Sequence, residues 1–358
     1  MAKIGVAVLG LGNMGCGHVQ AALSSLHVNM VAGYEPDETA GFIRAKELGI
    51  AVTSDLDSIL NNDELQLVTI ATPNEFHAAL SIKSLMAGKA VFCEKPMGAN
   101  ITQCREVLNI QRKTGGFLTY NFEARCSRMY EQVKQWIVSG CIGNVLNTHC
   151  DYWCSEFHHR DSWRSNSSVT LIGEKLCHYL DLPRWWIEDE VLEIYSLAAP
   201  NFVKYFNHPD NHTIVYRFKN GAISSLNFIM GSAETFKGDP LLDMVSQQAD
   251  DGHRLTYIIY GTKGAIEADV FRRRIRRWQF SDGDNGLESE IVESLTFEKA
   301  QDLEYFHNME GHIRTVCQRV ATGQKPLIDP NDSFESMKMV FAAEISEAEK
   351  RPIKLAEL

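Results

Sequence analysis

Val6-Ala7-Val8-Leu9-Gly10-Leu11-Gly12-Asn13-Met14-Gly15 is the stretch that decides the fold. A short apolar run leads into a loop with glycines at its first, third and sixth places, and Asn13 to Ser25 then carries a helical pattern. Strand, G-x-G-x-x-G and helix in that order predict a dinucleotide-binding turn. Gly10 permits the tight turn, Gly12 lets a pyrophosphate approach the backbone, and Gly15 lets helix and strand pack closely. The helix N-terminus at Asn13 and Met14 offers its N–H groups to the phosphates.

Working outward, Met30-Val31-Ala32-Gly33-Tyr34 reads as a second strand, with Glu35 at its end. An acidic residue about 20 residues past the glycine loop receives the adenosine ribose hydroxyls of NAD. Its charge repels a 2′-phosphate and no arginine follows directly, so the sequence favours NAD over NADP. Thr39 to Leu48 is helical, with Gly49 as its stop. Leu67-Val68-Thr69-Ile70 is a strand, and Ala71-Thr72-Pro73-Asn74 leads into a helix that Asn74 caps and that runs to Gly88. The backbone of that turn is expected to border the cofactor; His77, inside the helix, fits either a ligand contact or a surface place. Ala90 to Cys93 is a strand, Ile101 to Lys113 a helix, and Phe117-Leu118-Thr119 closes the series. Alternating strand and helix imply right-handed crossovers and a parallel sheet covered on both faces.

Cys93-Glu94-Lys95-Pro96 ends one of these strands. Ligands of such sheets bind beyond the carboxyl ends of the strands. A lysine there is at the right end to meet cofactor and substrate, and Pro96 fixes the local backbone so that Lys95 can be aimed. The same four residues also fit a plain turn.

The second half changes period. Met129 to Val138 reads as an amphipathic helix stopped near Gly140. Strands with period two follow at Leu146 to Tyr152, Val191 to Leu197, His212 to Phe218, Ala222 to Phe228, Thr256 to Tyr260 and Ile266 to Val270. Asn220-Gly221 is a hairpin turn between two of them. Strands in a row imply an antiparallel sheet. Asp332-Ser333-Phe334-Glu335 has the form of a capping box before a helix ending near Lys350. The expected division is a dinucleotide-binding domain over 1–122 and a substrate and oligomerisation domain over 123–358.

The 358 residues suit two domains, and 44% hydrophobic with 23% charged residues is a globular composition. A net charge of -11 argues against a nucleic-acid surface. No run has the apolar length needed to cross a bilayer. A strand begins at Lys3-Ile4-Gly5-Val6, so no secretory signal is expected. Nine cysteines without C-x-x-C argue against a disulfide framework or zinc knuckle, and suggest reduced thiols in the cytoplasm. Cys16, Cys93 and Cys177 are read as packing residues.

These pieces together resemble the Gfo/Idh/MocA family, the glucose-fructose oxidoreductase and inositol dehydrogenase group. The matching elements are the Gly10 to Gly15 loop, Glu35, Ala71-Thr72-Pro73-Asn74, Glu94-Lys95-Pro96, Trp163-Arg164, His178 with Asp181, and Tyr260-Gly261-Thr262-Lys263-Gly264. The resemblance spans nearly the whole chain. It implies a Rossmann α/β domain followed by an α+β domain with a large open, mainly antiparallel sheet. It also implies NAD(P)-linked oxidation or reduction of a sugar, sugar derivative or cyclic polyol, and a homodimer or homotetramer joined through the sheet.

Glu174-Lys175-Leu176-Cys177-His178-Tyr179-Leu180-Asp181 is the second informative segment. On an α-helix Glu174, His178 and Asp181 share a face, and a carboxylate one turn from a histidine orients its ring. The upstream carboxylate is Asp in most of the family and Glu174 here, followed by Lys175, which competes for it. The expected mechanism has His178 take the proton from a substrate hydroxyl and Lys95 hydrogen-bond the developing alkoxide. Glu174 or Asp181 sets the histidine, while Tyr120, Asn121, Trp163, Arg164 and Lys175 line the substrate pocket. Two other functions fit the residues: a glycosidase or lyase that oxidises transiently with held NAD, and a sensor that binds NAD without turnover.

Four further stretches have simple readings. His158-His159-Arg160-Asp161 lacks a metal-ligand spacing, and no metal is expected. Phe271-Arg272-Arg273-Arg274-Ile275-Arg276-Arg277-Trp278 is read as a strand with arginines on both faces, at a solvated edge or subunit contact. Asp239 to Asp251 and Ser281 to Gly286 are read as mobile loops.

Overall fold

β1 (Ile4–Leu9) is buried along its whole length, as a strand covered on both faces must be. The computed structural model describes residues 3–154, 160, 169–231 and 254–358. The chain forms two units, residues 1–123 with 309–337, and residues 124–308 with 338–358.

In the first unit β1 is followed by α1 (Asn13–Leu23), β2 (Val28–Tyr34), α2 (Glu38–Leu48), β3 (Ala51–Thr53), α3 (Leu56–Leu60) and β4 (Leu65–Ile70). Then come α4 (His77–Met86), β5 (Ala90–Cys93), α5 (Ile101–Thr114) and β6 (Leu118–Tyr120). The strands form one parallel sheet in the order β3-β2-β1-β4-β5-β6. Strand order reverses at β1, and the loops after β1 and β4 flank that switch point. β3 and α3 were not anticipated. They are too short to show a period, and α3 is fixed by Asp55, whose carboxylate accepts the Asp57 and Ser58 N–H groups.

Asn74 does not cap α4. A 3-10 turn, Asn74–Phe76, comes first, and Asn74 is buried in it. Pro73 is extended, with ψ 147°, and its carbonyl takes the Phe76 N–H, so the chain tightens before the α-helix begins. A late segment, α9 (Met309–Ala321), also folds with this unit. Its Ile313, Val316 and Cys317 join a core with Val6, Val8, Val19 and Phe92. Burial of each such aliphatic side chain contributes about 1.5–3 kcal/mol.

The second unit begins with α6 (Arg128–Val138), β7 (Val145–Cys154) and α7 (Cys177–Ile187), the last preceded by a π-helical turn, Ile172–Leu176. β8 (Val191–Ala198), β9 (Asn211–Phe218), β10 (Ile223–Met230), β11 (Arg254–Gly261), β12 (Gly264–Asp269), β13 (Arg274–Gly283) and β14 (Gly286–Thr296) follow. α8 (Asp302–Tyr305) and β15 (Ile353–Lys354) come last, with α10 (Pro330–Glu349), which begins in the first unit and belongs to the second from Lys338 on. The sheet order is β14-β13-β12-β11-β7-β10-β9-β8-β15, antiparallel except for the β7 and β10 pair. Buried and open positions alternate along β8, β9 and β10, so one face is packed and the other is open. The Asn220-Gly221 turn is present, with Gly221 at φ +91°.

Three local expectations are corrected. Ser281 to Gly286 is not a loop: Gly283 pairs with Gly286, and β13 and β14 form a hairpin through them. The basic run starts as a turn, with Arg273 at φ +47°, and only from Arg274 is it strand. Its strand lies inside the sheet, since β14 is the edge, and each arginine meets a carboxylate. Arg272 pairs with Asp269, Arg273 with Asp302, Arg274 and Arg276 with Glu267, and Arg277 with Glu293. Finally, α10 starts at Pro330 rather than after a capping box at Asp332. Asp329 accepts the Asn331 N–H at 2.8 Å, and Pro330 suits a first helical turn that needs no N–H donor there.

Candidate active site

Gly10 has φ +86°, and a Cβ on it would lie 2.8 Å from the Ala71 carbonyl oxygen. Only glycine fits where the first and fourth strands deliver their loops side by side. A side chain at Gly15 would collide with the Gly10 carbonyl, which explains the last glycine of the motif. Gly12 differs: a Cβ there would meet no atom of the described residues within 4 Å. Its place above the loop is open space next to the first turn of α1, where no side chain caps the N–H groups. Glu35 stands beside the loop, and its Oε2 accepts the Leu11 N–H at 3.1 Å. Donors toward phosphate, room above Gly12 and a carboxylate for ribose hydroxyls together fit a dinucleotide.

Lys95 follows the end of β5 and is half-buried, and the Lys95–Pro96 peptide is cis. Glu94 before it is held from inside the unit. His18 Nε2 donates to Glu94 Oε1 at 2.9 Å, and Asn121 Nδ2 donates to the same oxygen at 2.8 Å. The Asn121 carbonyl in turn accepts from His312 Nδ1 at 2.9 Å. His18, Glu94, Asn121 and His312 are all buried, and Phe92 packs its ring against both histidines, with centroids 5.4 and 5.1 Å away. His77 joins the two loops that border this place. Its Nδ1 lies 2.8 Å from the Pro96 carbonyl oxygen and its Nε2 lies 2.9 Å from that of Thr72. Burial pushes the imidazole below its ordinary range, against the pull of the two carbonyls.

In the second unit His178 is the second residue of α7 and is buried. The helix is anchored one turn further on by Asp181, whose two oxygens take the Arg125 fork at 2.7 and 2.6 Å. Pro183 lies inside the helix and has no N–H for the Tyr179 carbonyl one turn back. Tyr257 of β11 supplies the donor instead: its hydroxyl reaches the Tyr179 carbonyl at 2.7 Å. The Tyr216 hydroxyl reaches that of Leu180 at 3.2 Å. Sheet tyrosines thus hold the backbone of the turn that carries His178. The His307 ring lies beside it, with centroids 5.8 Å apart and planes at 77°.

Several expected site residues have other surroundings than the sequence implied. Glu174 and Lys175 lie in the π-turn, so α-helical spacing does not relate Glu174 to His178. Tyr120 is fully buried in β6, whose three residues are all buried, and it leaves no surface for a ligand. Asn121 is also fully buried, with its amide spent on Glu94 and His312. Met14, Ala71, Thr72 and Pro73 are half-exposed, while Asn13 is exposed. Trp163, Arg164, His158, His159, Asp161 and the Asp239 to Asp251 stretch lie outside the described residues. Arg160 stacks over the Tyr205 ring at 4.8 Å. His18, His312, His307, Tyr257 and Arg125 were not singled out; each stands alone in sequence and acquires a partner only through the fold. Cys93 and Cys177 are fully buried, and burial raises the Cys93 thiol well above its ordinary value. Cys16 is half-buried and lies 3.4 Å from the Leu11 carbonyl.

The model of the oxidoreductase family with an NAD-binding Rossmann fold matches residues 4–122. That of the GFO/IDH/MocA C-terminal domain matches residues 130–267. The chain belongs to the Gfo/Idh/MocA oxidoreductases. Among similar proteins is a myo-inositol 2-dehydrogenase of Thermotoga maritima, 22% identical over 357 residues, covering 99% of each chain. A levoglucosan dehydrogenase of Pseudarthrobacter phenanthrenivorans is 24% identical over 62% of this chain and 60% of its own. A solved levoglucosan dehydrogenase, in complex with NADH and levoglucosan, superposes with a TM-score of 0.82 at 19% identity over 99% of each chain. The six-stranded parallel sheet and the nine-stranded mixed sheet are the two parts of this family's fold.

Proposed function

We propose that the protein is an NAD-dependent dehydrogenase acting on a CH–OH group of a cyclic polyol or a sugar. The observation that carries this reading is the Gly10 to Gly15 loop with Glu35 beside it, in a unit whose β5 leads into Glu94-Lys95-Pro96. Relatives named for inositol and levoglucosan support the substrate class. Glu35 favours NAD, because its carboxylate accepts ribose hydroxyls and repels a 2′-phosphate.

A bound nicotinamide would supply the hydride acceptor for the carbinol carbon. This chain's residues do the rest. Gly12 and the first N–H groups of α1 bind the pyrophosphate. His178 removes the hydroxyl proton as general base. Lys95, kept cationic, donates a hydrogen bond to the oxygen as its charge develops. Glu94, fixed by His18 and Asn121, holds the strand end from which Lys95 projects. Glu174 and Lys175 set the polarity around His178, and Asp181 anchors the helix through Arg125. Trp163 and Arg164 are assigned to substrate contact.

The second-unit sheet is assigned to self-association. Its open face carries Tyr195, Leu197, Val215, Ile223 and Tyr260, each between about a third and a half exposed. Purified protein that reduces NAD on addition of inositols or pyranoses supports the reading; binding of NAD without turnover of any of them contradicts it.

A further inference from the structure

α7 is entered through a turn that is wider than an α-helix. Single π-turns of this kind recur at functional sites, where they re-aim the residues that follow. Here the turn is Ile172–Leu176, and His178 is the second residue beyond it. Thr170 governs its start. The Thr170 carbonyl accepts the Glu174 N–H at 2.8 Å, and its hydroxyl accepts the Gly173 N–H at 3.2 Å. That hydroxyl donates its own proton to Glu344 Oε1, from the last third of α10. Gly173 lets Val169 pack closely at the turn: a Cβ on it would lie 2.9 Å from the Val169 side chain, with Glu344 Oε1 at 3.7 Å.

We propose that Thr170 and Glu344 are positioning residues, which fix the π-turn and through it the attitude of His178. The inference rests on the reading of His178 as the general base. The chain of contacts is short: a buried carboxylate orients one hydroxyl, the hydroxyl holds one amide of the turn, and the turn delivers the histidine. Burial has a second consequence. It raises the Glu344 carboxyl to about 7, against the pull of the Thr170 hydrogen bond, with Glu347 one turn along α10 adding to the rise and His212 of β9 opposing it. Glu347 is itself engaged by His212 Nδ1 and by the Ser196 hydroxyl, both at 2.7 Å. Glu344 therefore changes charge in the same range as an ordinary histidine, next to the turn that carries one.

The test uses full-length protein labelled with 13C at histidine Cε1, with the His178 signal assigned from His178→Gln, and amide hydrogen exchange over residues 173–177. Thr170→Val removes the donor and should shift the His178 titration midpoint by about half a pH unit or more. It should also speed exchange in the turn at least about tenfold relative to α6. Thr170→Ser should restore both. Glu344→Gln keeps an acceptor for Thr170, so exchange stays as in wild type, while the step near pH 7 in the Gly173 amide shift disappears. If Thr170→Val does not fold, Glu344→Leu removes the acceptor and makes the same measurement. A His178 titration and turn exchange unchanged in the variant that folds, or no restoration by Thr170→Ser, overturns the proposal. Neither readout needs turnover, so failure to oxidise any sugar would sink the dehydrogenase reading and leave this inference to be decided by itself.

Discussion

Lys95 lies next to a carboxylate whose inner oxygen is saturated by two buried donors, His18 and Asn121. The strand end therefore has little freedom, which helps to aim the lysine that projects from it. Such placement lowers the reorganisation needed when charge develops on a substrate oxygen. Lys95→Ala and His178→Ala should each lower kcat/KM by about a thousandfold or more, several kcal/mol of transition-state stabilisation. Affinity for NAD, read by quenching of protein fluorescence, should change far less in His178→Ala than turnover does. An unchanged kcat/KM in both variants would remove the assignment. At this scale the sequence showed Gly10, Gly12, Gly15 and Glu35 because their spacing has a mechanical cause. It did not show that Asn121 and Tyr120 are interior residues, since a polar or aromatic letter after a strand reads the same whether it faces a ligand or a neighbouring helix.

The element that matters most is α7, a helix with a proline inside it and a π-turn before it. Tyr257 replaces the donor that Pro183 lacks, so Tyr257→Phe should cost about 1–3 kcal/mol by leaving a buried carbonyl short of a partner. Adding Pro183→Ala returns an N–H at the right place. The double variant should then recover part of the loss, as read by chemical denaturation; an equal loss with and without Pro183→Ala would contradict the pairing. Glu344 gives a pH signature. Its carboxyl is raised from 4.5 unfolded to about 7 folded, so the unfolded chain binds fewer protons between these values. Stability should fall as pH rises from 4.5 through 7, by about 3 kcal/mol from this group at most. Glu344→Gln should flatten that fall, raising Tm at pH 8 more than at pH 5; the opposite ordering would show that Glu344 is not buried as described. The π-turn itself was not legible, because periodicity assumes one helical pitch. Nor were β13 and β14 as a hairpin: Asp284-Asn285 between two glycines has the composition of a loop and is one only for those two residues.

For the whole molecule, strand counts and alternation in sequence foretold a parallel unit followed by an antiparallel sheet. They could not show that the chain returns to the first unit at Met309, since α9 carries a helical pattern with no mark of which sheet it covers. Only its packing partners, Val6, Val19 and Phe92 among them, reveal that. The open sheet face predicts association. In light scattering after size exclusion the protein should be a dimer or tetramer, and Tyr260→Asp on that face should shift it toward monomer with Tm of the unit little changed. A wild-type monomer at micromolar concentration would contradict this assignment.

The most direct test of the central claim is the absorbance of reduced nicotinamide when wild type and Lys95→Ala are mixed side by side with NAD or NADP and a panel of inositols, pyranoses and anhydrosugars. The account predicts net reduction with at least one member, faster with NAD than with NADP, and lost in Lys95→Ala. Bound NAD that no member reduces, or equal rates in wild type and Lys95→Ala, would contradict it.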